Sequence, residues 1–255
     1  MTTTVSVCMA TYNGSEYVTH QLQSILDELE DQDEVVVVDD ASTDDTVAVI
    51  EALGDSRIRV IRQESNRGYV RTFESALAAA AGDVLLLADQ DDEWIPGRRR
   101  LLVGAALATG IAAGDLVLLG DDRPLSSPLT GRPWRLGPLH GGGSLRNELR
   151  LLAGDAPYYG CAMAVRRDLR DLVLPFPAFL TESHDLWIAT VANTSRSMSH
   201  VTEPVLRRRL HGGNASAPKP RGVLKALGSR WMLLRAWNEA AKRTRRRGGS
   251  EVRTG

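Results

Sequence analysis

The sequence predicts an α/β fold: a mostly parallel sheet flanked by helices, followed by a basic amphipathic helix. Three observations predict it. Short β-branched apolar runs alternate with segments of helical period through the first half. These runs are apolar nearly throughout, as in strands covered on both faces. Each ends in a polar cluster, where open parallel sheets bind ligands. At 255 residues, 43% hydrophobic and 25% charged, the chain can bury one sizeable globular core.

The elements follow in order. Residues 5–9 form an apolar strand, and Thr11 to Gly14 is turn chemistry. Residues 16–29 carry Val18, Leu22, Ile25, Leu26 and Leu29 at helical spacing. Residues 34–38 read as a buried strand, 39–44 as a polar loop, 46–53 as a helix and 58–61 as a strand. A helix over 69–81 ends at Gly82, and a buried strand over 83–88 runs into Asp89, Gln90, Asp91 and Asp92. Beyond lie a helix over 98–109, a strand over 116–119 and a long Pro/Gly-rich loop over 121–143. A short helix over 144–153, a strand over 158–165, a helix over 186–192 and a strand over 201–210 complete the domain. After Pro220 comes a basic helix with Leu224, Leu227, Trp231, Leu234 and Trp237 near one face.

Composition narrows the function classes. No apolar run reaches the roughly 18 residues needed to span a bilayer. The N-terminus has no basic n-region, so no signal peptide is expected. Cys8 and Cys161 each sit in an apolar run, as expected of reduced, buried thiols in a cytoplasmic protein. From Lys219 onward there are eleven Lys/Arg against two Glu, a local charge of +9; the remainder, 20 against 30, carries −10. That asymmetry points to a divalent cation in the body and an anionic surface for the tail. Nucleic acid is not an expected partner.

The carboxylate clusters carry the chemistry. Asp89, Asp91 and Asp92 fall within four residues, and such packing is costly unless a cation or water offsets the repulsion. Hard oxygen donors suit Mg²⁺ or Mn²⁺; a solvated acidic turn is the alternative. At Asp39 and Asp40, one carboxylate can accept from a pyrimidine ring N–H while another faces a ribose hydroxyl. The stretch 42–45 can cap the following helix.

Seven segments in register resemble the family 2 glycosyltransferases: residues 5–14 (VSVCMATYNG), 36–46 (VVVDDASTDDT), 66–68 (NRG), 87–94 (LADQDDEW), 160–169 (GCAMAVRRDL), 184–187 (HDLW) and 208–214 (RRLHGGN). The resemblance implies a GT-A type, Rossmann-like fold over 1–215, with a nucleotide-sugar half (1–120), an acceptor half (121–215) and a basic helical tail (216–255). The ADQDDEW form and the late Arg-x-x-His-x-x-Asn look most like rhamnosyltransferase-type members.

By that resemblance, Ala10, Thr11, Tyr12, Asp39 and Asn66 hold the base and ribose, with Arg71 near the diphosphate. Asp89 faces ribose or sugar hydroxyls, Asp91 holds the metal, and Asp92 lies by the donor sugar. His211 is the second metal ligand or a diphosphate contact, a structural histidine being the alternative. Asp185 is the candidate general base, since inverting transfer needs one carboxylate facing the acceptor; it can also be the N-cap of the 186–192 helix. Glu182 is the alternative base. Gly160, Cys161 and Trp187 fall on the acceptor side, Gly160 leaving room for an acceptor ring and Cys161 serving as packing.

The implied partners are a nucleotide-diphosphate sugar, such as dTDP-rhamnose or a UDP-sugar, and a glycan or lipid-linked acceptor. The tail over 221–247 either lies on the inner membrane face or packs its apolar face on the domain. A sugar nucleotidyltransferase would carry a basic, Gly-rich loop after the first strand, and residues 10–14 hold no basic residue. A non-catalytic sugar- or nucleotide-binding protein would tolerate loss of Asp91 or Asp185; both are present.

Overall fold

The computed structural model describes residues 2–128, 130–137, 139, 143–211 and 223–254. Eight strands form one sheet: β1 (Val5–Thr11), β2 (Glu34–Asp39), β3 (Ile58–Arg62), β4 (Val84–Ala88), β5 (Glu93–Trp94), β6 (Ile111–Leu118), β7 (Met163–Arg166) and β8 (Met198–Arg208), in the order β3-β2-β1-β4-β7-β6-β8-β5. Strands β3, β2, β1 and β4 pair in parallel. β7 runs antiparallel to both β4 and β6, while β8 is parallel to β6. Six strands therefore point the same way, and the carboxyl ends of β1, β2, β4 and β8 share one edge. That geometry carries the polar clusters of both halves to one place.

Helices cover both faces. α1 (Val18–Leu26), α2 (Thr46–Glu51) and α4 (Arg98–Thr109) accompany one face; α3 (Tyr69–Ala79), α5 (Gly143–Ala153), α6 (Arg170–Val173), α7 (His184–Thr194) and α8 (Val223–Thr254) accompany the other. Alternate residues of β2 divide accordingly: Val36 and Val38 pack under α3, Val35 and Val37 under α1 and α2. All four are fully buried, which accounts for a continuous valine run instead of an alternating one.

Three differences from the sequence expectation have physical causes. β6 begins at Ile111, five residues before the expected strand. Its Ala112, Ala113 and Gly114 are weak β-formers, but the strand lies inside the sheet, where Val205 fills the space beside Gly114. The segment expected as a strand over 158–165 makes a 3-10 turn at Gly160–Ala162 before β7. α7 starts at His184, so Asp185 lies inside its first turn; the N-cap position belongs to Ser183, in a left-handed conformation (φ 61°).

α8 packs against α7 through Leu233, Ala236 and Ala240. The face expected to be apolar is a different one: Leu227, Trp231 and Leu234 are exposed and Trp237 is half-buried. The Leu224 side chain lies outside the described residues, as do residues 212–222 with the expected domain boundary at 215. Arg243 reaches the carbonyls of Leu172, Val173 and Pro175, and Arg247 that of Asp168. Among the described residues no helix is long and apolar enough to cross a membrane.

Candidate active site

A cavity of about 460 Å³ opens at the shared strand edge. Its first wall comes from β1 and its neighbours: Ala10, Thr11, Tyr12, Asp40, Asn66, Gly68, Tyr69, Thr72 and Phe73. Backbone and side chains fix this wall before any ligand arrives. Gln90 accepts from the Tyr12 amide (2.9 Å) and donates to the Tyr12 carbonyl (3.1 Å). The Asp40 carboxylate accepts from the amides of Arg67 (2.7 Å) and Gly68 (2.9 Å), joining β2 to the start of α3. Asp44 accepts from the Thr46 amide (3.0 Å) at the start of α2, whose N-cap position, Asp45, makes no side-chain cap bond, so the capping expected of the 42–45 stretch reduces to this local contact.

Asp39 does not line the cavity. It is 2% exposed, and its oxygens accept from Thr11 Oγ1 (3.0 Å), the Ser42 amide (2.9 Å) and Ser42 Oγ (2.5 Å). Strand alternation turns adjacent residues to opposite sides, so Asp40 and not Asp39 lines the cavity. Arg71 is also displaced. It pairs with Glu74 (2.6 Å) and holds the carbonyls of Phe176 and Pro177, away from the cavity.

The second wall gathers Asp89, Gln90, Asp91, Tyr159, Gly160, Ser183, His184, Asp185, Arg208 and His211. β8 delivers the last two. His211 stacks on Tyr17 (4.9 Å between centroids), and its Nε2 lies 2.6 Å from Asp91 Oδ2. Gly212, Gly213 and Asn214, which complete the late motif, lie outside the described residues. Arg208 lies over the Tyr159 ring (4.5 Å). Asp92 is 2% exposed and accepts from the Arg209 amide (3.0 Å).

Behind this wall, ligand atoms of Asp89, Asp92 and Cys161 lie within 4.8 Å of one another. Arg98, fully buried, stacks on Trp94 (4.3 Å) and donates to the carbonyls of Leu87 (3.0 Å) and Cys161 (2.6 Å). Burial raises the Asp89 and Asp92 carboxyls, and repulsion from neighbouring carboxylates adds to it. Asp92 Oδ2 has no hydrogen-bond partner among the described residues, nor do Nε and Nη1 of Arg98. Cys161 is buried beside Asp89 and Asp92 and is not part of the cavity lining, and burial pushes its thiol well above the ordinary range.

Asp185 faces the cavity, and burial lifts its carboxyl to about 6, with the Asp89 charge a lesser contribution. The neighbouring expectations change. Glu182 accepts from Ser229 Oγ of α8 (2.6 Å), outside the cavity lining. Trp187 is a core residue, 0% exposed, its indole N–H on the Val173 carbonyl (2.9 Å). The space at Gly160 is taken by the His184 imidazole, with which a Cβ there would collide, so it receives no acceptor ring in this state.

His184, Tyr159 and Arg208 are lining residues that sequence reasoning assigned no role. His184 is stacked on Phe73 (4.3 Å), and burial lowers its pKa to about 3. Neither of its ring nitrogens has a partner among the described residues. Its adjacency to Asp185 in sequence was the available signal.

Two donor groups suit a hard divalent cation: Asp91 with the His211 imidazole nitrogen, and the carboxylates of Asp89 and Asp92 beside the Cys161 thiol, one Asp92 oxygen being without a partner among the described residues. Chemically, the cavity offers one polar, preformed wall and one acidic wall with a raised carboxyl.

A profile described as glycosyl transferase family 2 matches residues 6–172. Over 106 residues the chain is 35% identical to the succinoglycan biosynthesis protein ExoO of Rhizobium meliloti (strain 1021), covering 42% of this chain and 30% of that protein. Over 91 residues it is 33% identical to WfaP of Escherichia coli, a UDP-Glc:α-D-GlcNAc-diphosphoundecaprenol β-1,3-glucosyltransferase, covering 36% of each. The chain thus matches about a third of the length of these curated relatives. The solved structure of S. aureus TarS 1–349 in complex with UDP-GlcNAc superposes with a TM-score of 0.66 at 20% identity, covering 91% of this chain and 66% of that one. That likeness shows the GT-A type fold.

Proposed function

The chain belongs to glycosyl transferase family 2, and on that premise we propose that it is an inverting, metal-assisted glycosyltransferase. It moves a sugar from a nucleotide diphosphate, dTDP-rhamnose or a UDP-sugar, to a hydroxyl of a glycan or lipid-linked acceptor. The observation that carries the reading is the single cavity lined by Asp40, the Asp91–His211 pair and Asp185.

Ala10, Thr11, Tyr12, Asp40 and Asn66 receive the nucleoside, Asp40 accepting from a ring N–H or a ribose hydroxyl. Asp91 and His211 would hold Mg²⁺ or Mn²⁺, whose chemistry is charge stabilisation of the departing diphosphate. Asp89 and Arg208 face the donor sugar and its phosphates, while Asp92, expected beside the sugar, is buried behind Asp89 and outside the cavity lining. Asp185 takes the proton of the acceptor hydroxyl as that oxygen bonds to the anomeric carbon. The carbon–oxygen bond to the diphosphate breaks with its electron pair leaving on the phosphate, and the configuration inverts. A carboxyl near 6 is ionised at neutral pH yet basic enough for this step.

Residues 1–120 form the donor half and 121–215 the acceptor half of one domain, with 216–255 as the tail. A cytoplasmic enzyme peripheral to the inner membrane face matches this reading and the acceptor named for WfaP. The rhamnosyl assignment rests on the ADQDDEW form and the late Arg-x-x-His-x-x-Asn. Incubation with each donor and Mn²⁺, without acceptor, tests the reading by NMR of the released sugar. The first anomer formed is expected to be opposite to that of the donor; retention of configuration counts against Asp185 as sole base.

A further inference from the structure

The solvent-facing line of α8 is apolar at its start and cationic beyond. Leu227, Trp231 and Leu234, spaced by four and three residues, are 61%, 66% and 45% exposed. Lys242 and Arg245 continue the same exposed line, and Arg235, lying over Phe179 (4.2 Å), borders it. Among the described side chains of α8 no exposed position carries a carboxylate; Glu239 is half-buried against Arg243. The opposite side is occupied by the packing of Leu233, Ala236 and Ala240 on the domain. α5, tied to α8 by Arg230 on the Ala153 carbonyl, adds exposed Leu145, Arg146 and Leu149. Exposure of so many large apolar groups on two neighbouring helices costs solubility unless something covers them.

We propose that this line of α8 docks on an anionic lipid bilayer and so sets the acceptor side of the cavity against the membrane surface. Three observations favour a bilayer over another protein. The pattern of Trp and Leu with adjoining Lys and Arg, and no exposed acid among the described side chains, matches helices that lie in the lipid headgroup region. The remainder of the chain carries −10 against +9 from residue 219 onward, so an anionic surface attracts this helix and repels the body, which orients the molecule. The helix also sits at the site: Ser229 holds Glu182, and the adjacent Ser183 and Asp185 line the cavity. An amphiphilic acceptor rising from the bilayer thus meets the cavity at its Asp185 side. That consequence rests on the transferase reading; the docking itself does not.

The test is flotation of the full chain with vesicles of phosphatidylcholine alone or mixed with phosphatidylglycerol. Two variants change only exposed groups: Trp231→Ser with Leu234→Ser, and Lys242→Glu with Arg245→Glu. Wild type is expected to float with the anionic vesicles and weakly with the neutral ones, and each variant to lose about tenfold or more in partitioning, at an unchanged melting temperature. Wild type that ignores anionic vesicles, or variants that bind as well as wild type, overturn the proposal. So does a dimer seen by light scattering that Trp231→Ser dissolves, because a second copy then covers the stripe. Donor titration of the same proteins separates the two readings: donor binding without vesicle binding removes the docking surface alone, and vesicle binding without donor binding counts against the transferase alone.

Discussion

The two walls of the cavity differ in how their polar groups are satisfied. At the nucleotide end every functional carboxylate is engaged: Asp39 by Thr11 and Ser42, Asp40 by two backbone amides. At the transfer end, Asp92 Oδ2, both nitrogens of His184 and two nitrogens of Arg98 are buried without partners among the described residues. An unsatisfied buried polar atom costs on the order of 1–3 kcal/mol, so several in one place mark where stability has been given up. The first wall is preformed; on the proposed reading the second awaits groups that a donor and a cation bring. This contrast orders the expected mutational effects.

The largest effect belongs to the wall awaiting its ligand. Asp91→Ala is expected to abolish metal-dependent donor binding while the fold, followed by circular dichroism, stays intact. Unchanged donor affinity and metal dependence would remove Asp91 as a ligand. Asp185→Asn is expected to cost about 10²–10⁴ in transfer rate with donor binding kept; near-normal turnover would exclude it as the base.

The same variant has a signature in stability. The Asp185 carboxyl rises from 3.8 to about 6 on folding, chiefly through burial, so the folded chain holds this proton more tightly than the unfolded one. Its contribution favours folding below 3.8 and is lost as pH rises through about 6, by up to about 3 kcal/mol. Asp185→Asn should therefore melt higher than wild type above pH 6, and the two should converge near pH 4. Wild-type transfer should in turn fall as pH drops through about 6.

The transfer end also contains a structural charge. Arg98→Met leaves Asp89 and Asp92 with one guanidinium fewer, and is expected to destabilise by about 3 kcal/mol or more in urea unfolding. A loss below about 1 kcal/mol would show that the buried acids do not depend on Arg98. At the preformed end the comparison is between adjacent carboxylates. Asp39→Ala should lower stability by about 1–3 kcal/mol through its lost hydrogen bonds. Asp40→Ala loses its two amide bonds and a similar stability, and in addition should weaken donor binding about tenfold, one good hydrogen bond. The reverse pattern would restore Asp39 as the ligand contact. The smallest effect is expected at His184→Phe, which keeps the aromatic stack on Phe73 and removes two unpartnered nitrogens, for a gain of about 1 kcal/mol.

The two walls were also unequally legible in sequence. The first half declared itself because each strand is a continuous apolar run ending in polar residues, and β1, β2 and β4 lie where those runs place them. Pattern alone left the facing of adjacent residues open, and so Asp39 stood for Asp40. The second half hid more. β6 is built of Ala and Gly because Val205 occupies the neighbouring space, so its first half lacks a strand signature. Trp187 resembles a site residue in HDLW, yet its helix turns it into the core, and only His184 and Asp185 reach the cavity. The outward face of α8 depends on where α7 packs, which periodicity does not tell.

The central claim is that the preformed and the unsatisfied walls together make one metal-dependent donor site. Calorimetric titration with dTDP-rhamnose and with UDP- and GDP-sugars, in Mn²⁺ and again in EDTA, tests it most directly. The account predicts binding of a dTDP- or UDP-sugar in Mn²⁺ that EDTA removes. Absence of binding for every donor under both conditions would contradict it.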